Sequence, residues 1–81
     1  MERKEIFEKL TEIFRDVMDN EEIVLEENTT AEDIEEWDSL AQIQLVVAIE
    51  KEFQLKFPSI EIRSLANVGE MVDSILAKKN R

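Results

Sequence analysis

The sequence predicts an all-α fold: a small four-helix bundle of three main helices and a short third one, with a long loop after the first helix. Three observations carry this expectation. Apolar residues recur at three- and four-residue steps over most of the chain, as one face of a helix requires. With 43% hydrophobic residues, one glycine and one proline, the composition suits packed helices better than a sheet or a disordered tail. The 81 residues make one domain, 1–81, which buries only about 60% of its unfolded surface, so no large enclosed active site is expected.

The first helix is expected from Glu2 to Met18, with Ile6, Phe7, Leu10, Ile13, Phe14 and Val17 forming its inward stripe. From Asp19 to Asp38 the helical period fades, leaving a connection longer than compact domains usually tolerate without a reason. Ile23, Leu25 and Ile34 are the residues able to pin it to the core. Thr29 with Glu32, and Thr30 with Asp33, have the spacing of a capped turn, which places a short turn around Ala31 to Glu35. The next helix follows Asp38 and ends near Gln54 or Leu55, because Pro58 disfavours helical geometry at Phe57. Ile60, Ile62 and Leu65 suit a brief third helix capped by Ser59. Asn67-Val68-Gly69-Glu70 matches the signature of a helix start, opening a last helix with Val68, Met71, Val72, Ile75 and Leu76 inward. Lys78, Lys79 and Arg81 close it, where cations suit the negative end of the helix dipole.

The helix after Asp38 is unlike the others. At about 100° per residue its apolar side chains fall into two arcs: Leu45, Val46, Ile49 and Phe53 on one side, Leu40, Ile43 and Val47 on nearly the other. A surface helix needs one apolar stripe, so the second must meet something else. It either packs beneath the loop or the short third helix, or serves as a docking face. Ser39 stands where this helix begins. Ser39 and Gln42 have the spacing of a capping box, which would give the serine a purely structural role. Asp38 competes for the same position, and an aspartate cap would leave the Ser39 hydroxyl in the first turn, where unpaired backbone N–H groups and the positive dipole end favour a phosphate. Trp37 can anchor the loop, or flank whatever meets this helix.

Charge and composition exclude several function classes. The formal net charge is −10, which argues against nucleic acid or an anionic membrane as partner and for a basic one. No Lys or Arg occurs between Arg15 and Lys51, and every charged residue from Asp19 to Asp38 is an acid. Such a run also serves simply as a solvated loop. Cysteine and histidine are absent, which removes disulfides, thiolate catalysis, the usual zinc ligands and the commonest general base. There is no apolar run near the length of a membrane span and no signal-peptide pattern, so a cytoplasmic protein is expected.

Asp38-Ser39-Leu40, followed by Ile43, Leu45, Val46, Ile49, Glu50, Glu52 and Phe53, resembles the Asp-Ser-Leu motif and second helix of acyl carrier proteins. The resemblance covers nearly the whole chain. It implies a carrier and not an enzyme: Ser39 would hold covalent 4′-phosphopantetheine, supplied from coenzyme A by a phosphopantetheinyl transferase, with Asp38 and Leu40 completing the attachment motif. Acyl intermediates would ride as thioesters on the arm's thiol for fatty-acid, polyketide or related specialised biosynthesis. Short apolar cargo would tuck between the second helix and the segment from Phe57 to Leu65. Trp37, Ile43, Gln44, Val47 and Glu50 would meet acyl-activating or acyl-transferring enzymes with basic docking surfaces, and the carrier would be a monomer with no metal. The chain departs from the usual fatty-acid pattern at Trp37, where a small residue is common, and at Ala41, Gln44 and Lys51, where acids are frequent. Those departures favour a specialised stand-alone carrier. The alternative is an acidic helical protein-binding module that uses the charge and the second stripe with no prosthetic group. An enzyme reading ranks last.

Overall fold

The structure is a computed structural model and describes residues 2–57 and 67–79. Helices α1 (Arg3–Val17), α2 (Ser39–Phe53) and α3 (Val68–Lys79) make up its regular structure. Among the described residues there is no strand, and no helix is long and apolar enough to cross a membrane. The short helix expected around Ile60, Ile62 and Leu65 lies outside the described residues.

α1 packs against both other helices, and its periodicity explains how. Ile6, Leu10 and Phe14, spaced at four-residue steps, are fully buried, while Phe7, Ile13 and Val17 flank them half-buried. Its expected ends, Glu2 and Met18, are the two capping residues, which is agreement at the resolution of helix boundaries. α2 contributes Ala41, Leu45, Ile49 and Phe53 to the same core. Burying an aliphatic or aromatic side chain of this size stabilises by about 1.5–3 kcal/mol. Val46 sits at the edge of that face, half-buried. α2 ends where Gln54 turns left-handed (φ 54°, ψ 54°) and donates its N–H to the Glu50 carbonyl. From α3, Val68, Met71, Val72 and Ile75 point inward, and Asn67 Oδ1 accepts the Glu70 N–H at 2.9 Å, as the helix-start signature requires. The Lys79 ammonium reaches past its own helix end and donates to the Phe53 carbonyl at 2.9 Å, so the last turn of α3 caps the C-terminus of α2.

The long connection is held at three kinds of point. Ile23, Leu25 and Ile34 are buried as expected. Asp33 accepts the Thr30 N–H at 2.9 Å, which makes the expected turn around residues 31–35. The other expected pair, Thr29 with Glu32, is corrected: the Thr29 hydroxyl accepts from the Glu26 N–H at 2.8 Å, a turn in the opposite chain direction. Thr29 is buried, and its carbonyl accepts the Val68 N–H at 2.8 Å, while the Glu27 carbonyl accepts the Gly69 N–H at 2.8 Å. The loop thus satisfies two of the donors that a helix start leaves unpaired. Gly69 permits this approach, because a Cβ there would stand 2.7 Å from the Glu27 carbonyl oxygen. Arg3 closes the clasp from α1 by pairing with Glu27 and Asp73. Its guanidinium holds the Glu27 carboxyl below the usual carboxylate range, and the two carboxylates hold Arg3 in its charged form. Loop, α1 and α3 are joined here.

Candidate functional site

The start of α2 settles which residue caps it. Asp38 keeps an extended backbone (φ −109°, ψ −171°), and its Oδ1 accepts the Ala41 N–H at 2.8 Å. Its carbonyl accepts the Gln42 N–H at 2.9 Å. Asp38 is therefore the N-cap and Ser39 the first helical residue. The capping box between Ser39 and Gln42 is not formed. The physical reason is that the Gln42 side chain is already engaged: its Oε1 accepts from Trp37 Nε1 at 2.6 Å. Ser39 is exposed, and among the described residues its hydroxyl takes part in no hydrogen bond.

Trp37 acts as a loop anchor. It is half-buried, its indole meets the Phe14 ring edge-on at 5.0 Å and 89°, and its own N–H donates to the Ile34 carbonyl. An aromatic pair of this geometry adds about 0.5–1.5 kcal/mol beyond area burial. The residue two before Ser39 is thereby joined to α1 through its ring and to α2 through its indole N–H.

The second arc of α2 is open. Leu40, Ile43 and Val47 are 64%, 63% and 59% exposed, and Gln44 beside them is exposed as well. The long loop does not cover them, so the first of the two explanations for this stripe fails as far as the loop is concerned. Glu50 is placed differently from the other candidates. It is half-buried, and its carboxylate accepts the Phe57 N–H at 2.8 Å, which makes it a brace for the turn after α2. Glu52 pairs with Lys9 of α1 at 3.2 Å. An open depression of about 360 Å³ lies at the C-terminal end of α2, lined by Val47, Glu50, Lys51, Gln54, Leu55 and Lys56. Most of the expected cargo segment, from Phe57 to Leu65, lies outside the described residues.

The arrangement suits attachment better than catalysis. An exposed hydroxyl with no internal partner is accessible to another enzyme's active site. The N–H groups of Ser39 and Leu40, at the positive end of α2, donate to no group among the described residues, which is the environment that accommodates a phosphodiester. Among the described residues no cluster of His, Cys, Asp and Glu could hold a metal ion. Local spacing alone could not have shown the Trp37–Gln42 bond or the Glu50 brace. Both depend on where a loop residue or a turn amide comes to rest against α2.

A family model described as the phosphopantetheine attachment site matches residues 8–75, a span that contains α2 and most of α1 and α3. An acyl carrier protein of Thermosynechococcus vestitus is 36% identical over 76 residues, covering 93% of this chain and 93% of that protein. One from Wolinella succinogenes is 35% identical over 75 residues, covering 91% of this chain and 97% of that protein. The fold is similar to the solution structure of a holo acyl carrier protein from Geobacter metallireducens, with a TM-score of 0.87 and 41% identity over 93% of this chain and 86% of the other. By its family match, its relatives over nearly the whole chain and its shared helical architecture, the chain belongs to the acyl carrier protein family, whose members are carriers of covalently attached 4′-phosphopantetheine and not enzymes.

Proposed function

We propose that Ser39 is the attachment residue and that the chain carries acyl intermediates in a specialised pathway of fatty-acid, polyketide or related type. The observation that carries this reading is the division of labour at the helix start. Asp38 takes the cap, and the serine one position later is left exposed and unbonded. A phosphopantetheinyl transferase would use coenzyme A as donor. The Ser39 Oγ–P bond forms, the pyrophosphate bond of coenzyme A breaks, the adenosine bisphosphate leaves, and the serine proton passes to a base on the transferase. Once attached, the arm supplies the thiol that this cysteine-free chain lacks, and cargo is held there as a thioester.

The chain's own residues present the arm. The buried face of α2 fixes the helix, Asp38 fixes its first turn, and the exposed Leu40, Ile43 and Val47 with Gln44 form the surface on which an acyl-activating or acyl-transferring enzyme rests. A partner with a basic surface suits the net charge of −10. The carrier acts as a monomer in the cytoplasm. The departures at the exposed Gln44 and Lys51 support a dedicated set of partner enzymes over the general fatty-acid system, whereas Ala41 is buried in the core and Trp37 anchors the loop. Intact mass after incubation with coenzyme A and a broad-specificity transferase tests the proposal. One arm is expected on the native chain and none on Ser39→Ala; an unmodified native chain would refute it.

A further inference from the structure

Two residues at the start of α2 have the chemistry of a helix cap, and the residues after them would serve either. In the observed register Asp38 supplies two acceptors, Oδ1 to the Ala41 N–H at 2.8 Å and its carbonyl to the Gln42 N–H at 2.9 Å. A helix beginning one residue later would use Ser39 as cap. Its hydroxyl would take the Gln42 N–H, and the Gln42 carboxamide oxygen would take the Ser39 N–H, closing the box. Two hydrogen bonds are exchanged for two, with the charged Asp38 acceptor at the positive helix end favouring the observed register. They differ in what becomes of the serine, whose oxygen is free in one and engaged in the other.

The Gln42 carboxamide adds to that preference. Its oxygen lies 2.6 Å from Trp37 Nε1, and the indole is held by its edge-on contact with Phe14, a fully buried residue. An indole nitrogen can only donate. Moving Gln42 back to Ser39 would strand that donor in a part-buried position, which is costly. We infer that Trp37 is a positioning residue: by holding the Gln42 carboxamide it keeps α2 in the Asp38-capped register and so keeps the Ser39 hydroxyl open to modification. This rests on the reading of Ser39 as the attachment residue.

The test compares arm transfer to the native apo chain, Trp37→Phe, Gln42→Ala and the double variant, using coenzyme A and a broad-specificity transferase. Trp37→Phe keeps a ring against Phe14 and removes the donor. Its apparent KM is expected to rise roughly fivefold with kcat unchanged, because the transferase draws on the fraction of chains in the open register. Gln42→Ala removes both the bond and the competing box, so it and the double variant should stay within about twofold of native. That rescue separates register selection from simple loop anchoring, under which the Trp37→Phe defect persists or worsens in the double variant. Backbone 13C shifts of Ser39 in the apo proteins give a second readout: helical in the native chain, moving toward extended values in Trp37→Phe, helical again in the double variant. An unchanged KM, a defect that the second substitution does not reverse, or Ser39 shifts that stay helical in Trp37→Phe would each overturn the inference. A native chain that accepts no arm would refute the attachment reading instead, and the shifts would then decide the register alone. If Trp37→Phe fails to fold, benzothienylalanine in place of the chain's one tryptophan removes the N–H while keeping the ring's shape.

Discussion

Two neighbouring residues of α2 should respond to truncation in opposite ways, and the structure sets the size of each response. Ile49 is 1% exposed within the core formed by α1, α2 and α3. Shortening it to alanine removes buried methyl groups and leaves a cavity, which costs about 2–5 kcal/mol. A domain of this length holds roughly 4–12 kcal/mol in total, so Ile49→Ala should remove a large fraction and lower Tm by about 10 °C or more. Val47, two residues earlier, is 59% exposed. Its truncation forfeits little burial and exchanges a β-branched residue for the best helix former, a gain of up to about 0.6 kcal/mol. The expected change is within roughly 0.5 kcal/mol of zero. Urea and thermal melts of the two apo variants measure stability, and loading of their holo forms by the proposed acyl-activating partner measures docking. Ile49→Ala should be destabilised; Val47→Ala should melt like the native chain and load slowly. If Val47→Ala loses as much stability as Ile49→Ala, the stripe belongs to the core and the proposed docking face does not exist.

Three other residues give independent checks. Gly69→Ala forces a Cβ to within 2.7 Å of the Glu27 carbonyl, so the loop must leave the start of α3; the expected loss is about 1–3 kcal/mol in a urea melt despite alanine's better helix propensity, and a stabilised variant would contradict the clasp. Glu27 has its folded pKa lowered by Arg3, so its contribution is present above the unfolded carboxylate pKa of about 4.3 and is lost as pH falls through the folded value. The difference in urea midpoint between the native chain and Glu27→Gln should therefore exist at neutral pH, shrink in acid and diminish with salt; a difference constant to the lowest pH would refute that assignment. Glu50→Lys should slow loading by a basic partner and also lower stability by about 1–3 kcal/mol, because it removes the acceptor of the Phe57 N–H; an unaltered melt would show that the brace carries no load.

The helices were legible because each obeys a local rule. The stripe of α1, the Asn67 cap of α3 and the two arcs of α2 all follow from spacing along one element, and the loop anchors Ile23, Leu25 and Ile34 are large apolar residues in a mostly acidic and polar stretch. The cap of α2 was not legible, because Asp38 and Ser39 satisfy the same local rule and part of the decision falls to a tryptophan nitrogen held in place by α1. Thr29 illustrates the same limit. Its hydroxyl had two equally local partners, and the chain chose Glu26, leaving the Thr29 carbonyl for α3. Glu50 stands on α2 where a docking charge is expected, and the turn that follows also brings the Phe57 amide to it, which spacing does not encode. The clasp of Arg3, Glu27 and Asp73 joins residues far apart in sequence, which no periodicity encodes.

In the proposed carrier the arm is joined to the Ser39 hydroxyl, left free by the Asp38 cap. The chain holds other hydroxyls, including the buried Thr29 and Ser74 in α3, so locating the modification is more decisive than detecting it. Tandem mass spectrometry of peptides from the chain treated with coenzyme A and transferase makes that measurement. The arm should be found on Ser39 alone, within the peptide containing Asp38-Ser39-Leu40, and Ser39→Ala should yield no modified peptide; an arm on any other residue, or one that persists in Ser39→Ala, would refute Ser39 as the attachment residue.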